Sequence, residues 1–321
     1  MGIPGQARST TLACGEVRTC LLPTSQALDL RAAGHVLRLR ADERVLVSER
    51  PNLYALSPDT LMGVDCPLPA AGGAKVRAVG TVVARAALTE GRVLQAGSSF
   101  RVPATGPDQR QPWGYYLVRP GMVEPLGKLP AQAVADGLLK GGRPGELDPG
   151  LIAEGLLTRL LRHPLLDQKS PFKSRRTRLR WAALPVPDGH APFIHFTVVD
   201  DELRTVRLGI PEDTEPTAVV RLCEDLALHD WLLTTLVRML DGSRFGSADG
   251  PQAVLALRPA VDHLLHLWMP RARLDRTLSA LWEALEEQPG FSRQWQALVQ
   301  RIRDQLALQA IPLLREALTA R

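Results

Sequence analysis

The sequence predicts an α+β fold: a β-rich N-terminal domain built as a small barrel or sandwich, followed by a mainly helical C-terminal domain carrying a short antiparallel meander. Three observations carry that expectation. Up to about residue 130 the apolar residues come in short runs, cut by prolines at 51, 58, 67, 69, 103, 107, 112, 120 and 125. The stretch LLKGGRPGELDPG at 138–150 concentrates Gly and Pro and reads as a linker. From Glu215 onward apolar residues recur every three and four positions. The implied division is a β-rich domain at 1–140, a Gly/Pro linker at 141–150, and an α-rich domain at 151–321 with its meander at about 176–210.

In chain order, EVRTCLLP and RVLVSE have strand length and β-branched content, with room for one helix near 23–40 between them. KVRAVGTVVARAAL and RVLQAGSSFRV face each other across a turn containing Gly91, the signal of a hairpin. WGYYLVRPG reads as a further strand ended by Pro120 and Gly121, and a weak helix follows at 130–140. LDPGLIAEGLLTRLLRHPLL predicts a helix over 148–162 with Asp148 as N-cap and Pro149 in the first turn. RLRWAAL, PFIHFTVV and LRTVRLGI are the expected meander, the last two joined by DDE. Then Val219, Leu222, Leu226, His229, Leu233, Leu236 and Leu240 form one helical stripe. Helices near 251–269, 273–287 and 292–318 complete the chain; QPG at 288–290 stops the third and Ser292 caps the fourth. Pro259 and Pro312 fall inside helical patterns and are expected to kink or break them.

Composition narrows the function classes. Of 321 residues, 45% are hydrophobic and 23% charged, the balance of a chain with a packed core. No apolar run approaches the ~18 to 20 residues of a membrane span. The first residues have no apolar signal region, and Gln6 breaks the myristoylation pattern after Gly2, so a cytoplasmic protein is expected. Arginine outnumbers lysine 34 to 5 beside abundant Ala, Leu, Pro and Gly, the bias of a GC-rich genome such as an actinobacterial one. The net charge of +5 is therefore not by itself a nucleic-acid signature. Cys14, Cys20, Cys66 and Cys223 have no metal-knuckle spacing and read as free thiols. No Walker A, no Gly-x-Gly-x-x-Gly and no Gly-x-Ser-x-Gly is present, and no cofactor is predicted.

Three places could carry chemistry or binding. Asp225 and His229 lie at i,i+4 on one helix, and His263 and His266 at i,i+3 on another, so a packed pair could in principle converge as a metal site. Against that, His229 shares its stripe with leucines, where a histidine more often bonds a carbonyl, and core fitting is the favoured reading. The segment KSPFKSRRTRLRW gathers Lys169, Lys173, Arg175, Arg176, Arg178 and Arg180 without an acid. Arginine forks suit phosphate or an acidic protein surface, with a solvated loop as the plain alternative and nucleic acid as a weaker one. Cys66 follows Asp65 in a predicted loop as a possible reactive thiol, but the β-rich half offers only His35 as a base. The last helix sets Trp295, Leu298, Ile302, Leu306, Leu313 and Leu314 on one face, for packing or for docking a partner.

The runs GEVRTCLLPTS, SPDTLMGVDCPLP, RTRLRWAALPVP, CEDLALHDWLLTTL, VDHLLHLWMPRARLDR and FSRQWQALVQRIRDQLALQ resemble, over nearly the whole chain, an uncharacterised actinobacterial protein family. Its genes lie in cassettes beside a P-loop ATPase-like protein and a SAM-dependent methyltransferase. The resemblance implies membership of a multi-protein system, with protein partners from the same cassette such as the P-loop ATPase-like protein, and it supplies no catalytic residues. The expected function is thus a non-enzymatic interaction or assembly subunit. An enzyme with an unrecognised site, metal-dependent at the histidine helices, is the alternative, and a nucleic-acid binder through 169–181 the third.

Overall fold

A computed structural model describes residues 10–187, 189–242, 250–272 and 278–319. The fold is α+β, and its centre is a ten-stranded mixed sheet among the described residues. The strands are β1 (Thr10–Leu21), β2 (Leu46–Ser48), β3 (Tyr54–Leu56), β4 (Thr60–Leu68), β5 (Val76–Thr89), β6 (Val93–Pro103), β7 (Val123–Pro125), β8 (Thr177–Pro185), β9 (Phe193–Val198) and β10 (Leu203–Ile210). The order across the sheet is β2-β3-β5-β6-β1-β8-β10-β9, with β4 and β7 also paired to β5. The strands on both sides of residues 141–150 therefore share one sheet rather than forming a separate barrel and meander. β1 pairs β6 on one side and β8 on the other, both antiparallel. β10 inserts parallel to β8, so that β9 and β10 form a hairpin whose second strand, not its first, meets β8.

Alternation along the strands sends side chains to two faces. Against one face lie α1 (Leu30–Leu37), α3 (Ala131–Lys140) and α4 (Pro149–Leu161), which bury Leu12, Cys14, Cys20, Ala86 and Ala182 among other sheet residues. Against the other lies α5 (Pro216–Gly242), 27 residues long, over Val17, Leu179, Trp181, Val206 and Leu208. Outside α5 pack α6 (Gly250–His263), α7 (Ser279–Glu287) and α8 (Phe291–Thr319), whose Leu257, Leu281, Trp282, Phe291 and Trp295 complete the same core. Covered on both sides, α5 buries far more than the predicted stripe: Cys223, Leu228, Trp231 and Leu232 are all at most 2% exposed. Its polar residues are matched accordingly. Glu224 takes both forks of Arg85 at 2.8 and 2.9 Å, Asp230 takes Arg204 at 3.0 Å, and Asp225 accepts the Arg271 N–H at 3.1 Å.

Local signals explain several boundaries. Asp148 caps α4 by accepting the Gly150 N–H at 2.8 Å, with Pro149 opening the helix as the sequence predicts. The predicted linker is tied into the fold: Leu147 is 4% exposed and its N–H donates to Pro67 O at 2.9 Å. WGYYLVRPG is not a strand. Pro112 precedes a short helix, α2 (Trp113–Leu117), whose Tyr116 buries its ring, accepts the Gln111 N–H and meets Trp113 and Tyr115 edge-on. The aromatic cluster, not β propensity, decides that segment. Pro259 and Pro312 sit inside α6 and α8 and end neither. α8 starts one residue before Ser292, whose N–H and hydroxyl both bond the Glu286 carboxylate from α7.

The β5–β6 turn is the predicted hairpin, with Glu90 at φ 49° and Gly91 at φ 57°. A Cβ on Gly91 would stand 2.0 Å from Leu28 O, because Leu28 donates its N–H to Gly91 O at 3.1 Å. Gly91→Ala is therefore expected to cost at least about 1–3 kcal/mol from the left-handed backbone and the clash together. A urea melt showing an unchanged midpoint would contradict this account of the turn.

Candidate functional site

The arginine-rich segment is divided between a buried end at Arg180 and an exposed start. Arg180 in β8 and Glu16 in β1 face each other in register, and the guanidinium donates to the carboxylate at 2.8 Å with Glu16 fully buried. From there an alternating chain of charges runs outward. Arg180 approaches Asp148 at 3.7 Å, Glu16 meets Arg18 at 3.1 Å, Arg18 meets Glu154 of α4 at 2.6 Å, and Glu154 meets Arg176 at 3.1 Å. The Glu16 carboxylate also sits against Gly150 in the first turn of α4, where a Cβ would stand 2.5 Å from its oxygen. Carboxylates are favoured at such a helix start. Arg175 pairs with Asp201 at 3.0 Å, and its carbonyl takes the Trp231 indole N–H. Arg178 is half-buried, with an Nε that has no hydrogen-bond partner. Lys169 and Lys173 are exposed and form no ion pair among the described residues. The six cations thus do not form one free patch.

The histidines are not brought together either. His229 is fully buried, with Nδ1 at 2.7 Å from Asp225 O. A carbonyl only accepts, so Nδ1 carries a proton. Nε2 is buried without a partner, and the ring stands edge-on to Trp268 and Trp282 at 4.8 and 5.5 Å. His263 is half-buried and stacks on Phe172, and His266 is exposed on a 3₁₀ turn at Leu265–Leu267. No group of three or more His, Cys, Asp or Glu placed to hold a metal occurs among the described residues. Cys66 lies in β4, not in a loop. Burial, and then Asp65 beside it, push its thiol up, the opposite of an activated nucleophile. Trp295, Leu298 and Ile302 of the last helix are buried in the core, while the side chains of Leu313 and Leu314 lie outside the described residues.

Two surface features had no local sequence signal. On the α4 side, a groove of about 420 Å³ runs between β4 and α4. Met62 and Leu151 stand open in it, at 50% and 69% exposure, over a floor of Leu39, Ala84 and Leu156, with Arg40 and Arg159 at its sides and Leu61, whose side chain alternates to the other face of β4, at its rim. β4 pairs only with β5, so no strand borders its outer edge among the described residues, and Pro67 O there accepts the Leu147 N–H. On the α5 side, the helix reaches Arg85 and Gln95 of the β5–β6 half of the sheet but leaves Val83, Ser99 and Arg101 half-buried. Two hollows follow its flank, of about 190 and 460 Å³, separated by the Arg85–Glu224 bridge that lines both or stands beside them. The signals that could have found them are weak ones: small residues at Ala13, Gly15 and Gly97 on the α5 face, and the unmatched apolar pair Leu61–Met62 beside it in the chain.

No helix among the described residues is long and apolar enough to cross a membrane. No protein-family model, curated protein or solved structure matches the chain.

Proposed function

We propose that this chain is a non-enzymatic interaction subunit of a multi-protein system, and that its partner docks an acidic amphipathic segment in the β4–α4 groove. The observation that carries this reading is the groove itself: two large apolar side chains, Met62 and Leu151, exposed over an apolar floor and flanked by guanidinium groups. Scattered surface leucines need no explanation, whereas a contiguous apolar patch on a rigid strand and helix does. Arg40 is 66% exposed in its side chain and holds only a 3.3 Å surface pair with Glu43, so it is available to an incoming carboxylate. Arg38 and Arg44 flank it in the chain, and Arg162 follows Arg159 by three residues. An apolar helix face with acidic borders complements both properties. In the 169–181 segment Arg180 is buried and paired, while Arg175 and Arg176 hold only surface pairs and no apolar groove adjoins them, so it supports this function less well.

The resemblance to cassette-encoded proteins names the partners to try first, the P-loop ATPase-like protein and the methyltransferase. The test is co-expression and co-purification with each, followed by titration. Met62→Asp with Leu151→Asp is expected to weaken the complex by at least about 100-fold, and Arg40→Glu by about tenfold with reduced salt dependence. Both apolar side chains are exposed, so thermal stability should hold within about 1 kcal/mol. A complex that forms equally well with all three substitutions would overturn the groove as its site. Failure of every cassette partner to bind would overturn the function.

A further inference from the structure

The smaller hollow beside α5 has the composition of a ligand site. The sheet register builds its floor: Val83 of β5, Ser99 of β6, Gly15 of β1 and Trp181 of β8 lie in one cross-strand row, and Arg101 lies opposite Ala13 in the next row on the same face. With glycine at 15, the Trp181 ring can lie over the backbone. A Cβ there would stand 2.9 and 3.0 Å from Cζ2 and Cε2, the latter bonded to the indole nitrogen. Trp181 is 1% exposed, lines the hollow, and its N–H has no hydrogen-bond partner. A buried indole N–H normally finds an acceptor. Arg101 also lines the hollow and forms no ion pair among the described residues, in contrast to Arg85, which pairs with Glu224. Ser99 adds a hydroxyl between them.

Two acids, Glu215 at the start of α5 and Asp59 before β4, also line the hollow, and both are exposed. Burial acts to raise the Glu215 carboxyl, but hydrogen bonds from Thr217 and from the Ala218 N–H outweigh it and hold it below the ordinary carboxylate range. It stays ionised at the start of α5. Donors and carboxylates lining one hollow ask for a ligand with an anionic and a cationic end. Burial pushes the Asp59 carboxyl up while Arg85 pulls it down, and Glu215 stays ionised, so phosphate would meet at least one carboxylate. A volume of about 190 Å³ is below the ~300 Å³ of sites for drug-sized ligands, and leaves room for roughly six water volumes at ~30 Å³ each.

We propose that this hollow binds a small zwitterion of α-amino-acid size, its carboxylate held by Arg101, Ser99 and the Trp181 N–H and its ammonium facing Asp59 and Glu215. This site is on the face opposite the docking groove and does not depend on it.

The test is calorimetric titration of the full chain with each standard L-α-amino acid, with acetate and inorganic phosphate as comparators. At least one amino acid is expected to bind saturably, with Kd below about 1 mM, and more tightly than either comparator. Arg101→Gln should weaken it at least about tenfold, and Trp181→Phe, which keeps the ring and removes the N–H, severalfold. Asp59→Asn should erase the preference for the amino acid over its analogue lacking the amine. Arg101 and Asp59 are partly or largely exposed, so these two variants are expected to fold even where Trp181→Phe does not. The proposal is overturned if no amino acid binds up to about 10 mM, if phosphate binds as tightly, or if Arg101→Gln leaves the affinity unchanged.

Discussion

Arg180→Leu is expected to destabilise the protein by roughly 3–5 kcal/mol, toward the lower end of that range, as read from the midpoint of a urea melt. Arg180 is 7% exposed and Glu16 fully buried. Their separate desolvation is offset only by each other and by the neighbours that continue the chain of charges. Removing the guanidinium leaves the carboxylate in the sheet interior with Arg18 at 3.1 Å and the first turn of α4 as its remaining counter-charges. Those residual partners are why the cost falls short of that of a wholly unpaired charge. The companion variant is Glu16→Met with Arg180→Met. It removes both charges, and Arg18 keeps Glu154 at 2.6 Å, so most of the lost stability should return. A double variant as unstable as the single one would mean that the pair matters for its shape rather than for its charge balance.

The same pair shows why part of this structure was hidden from the sequence. Asp148 and Pro149 announced the start of α4, and Gly91 announced the β5–β6 turn, because caps and turns are decided by neighbours in the chain. The partnership of Glu16 with Arg180 spans 164 positions and depends on β8 pairing with β1, which no local period encodes. Once β8 joins that sheet, the two expected domains merge at their strands. Half of the arginine cluster then turns inward: alternation puts Arg178 and Arg180 on the α3–α4 face, and the acids that meet the cluster, Glu16, Glu154 and Asp201, come from distant segments. A run of like charge in the chain says nothing of the opposite charges folded against it.

The two surfaces proposed for binding were illegible for the same reason. Met62 looks like an ordinary strand residue, and only the absence of a strand beyond β4 makes it a groove wall among the described residues. Gly15 looks like a weak point in a strand. Its use, seating Trp181, depends on a register that pairs it with that residue. The stripe on α5 was legible, yet it under-reported burial, because nothing in a helical period tells that a second layer of helices will cover the other side.

His229→Ala is expected to cost about 2–4 kcal/mol, whereas His263→Ala and His266→Ala should each cost less than about 1 kcal/mol. The asymmetry follows from their settings. His229 fills the junction where α5 meets Trp268 and Trp282, and truncation removes both the edge-on ring contacts and the bond from Nδ1 to Asp225 O. The void would be enclosed by indole rings that α6–α8 hold from outside, and so could not readily collapse. His263 gives up only a stack on Phe172, and His266 is exposed. A metal held jointly by these residues would act differently: each ligand lost would lower stability by a comparable amount, and a chelator would reproduce the effect on the unmodified protein. Thermal melts of the three variants, and of the parent with and without EDTA, therefore separate the two accounts. Equal losses at 229, 263 and 266 together with sensitivity to EDTA would make the histidines a metal centre. A large loss at His229 alone, with no response to EDTA, would make His229 what its neighbours indicate, the polar filler of an aromatic core.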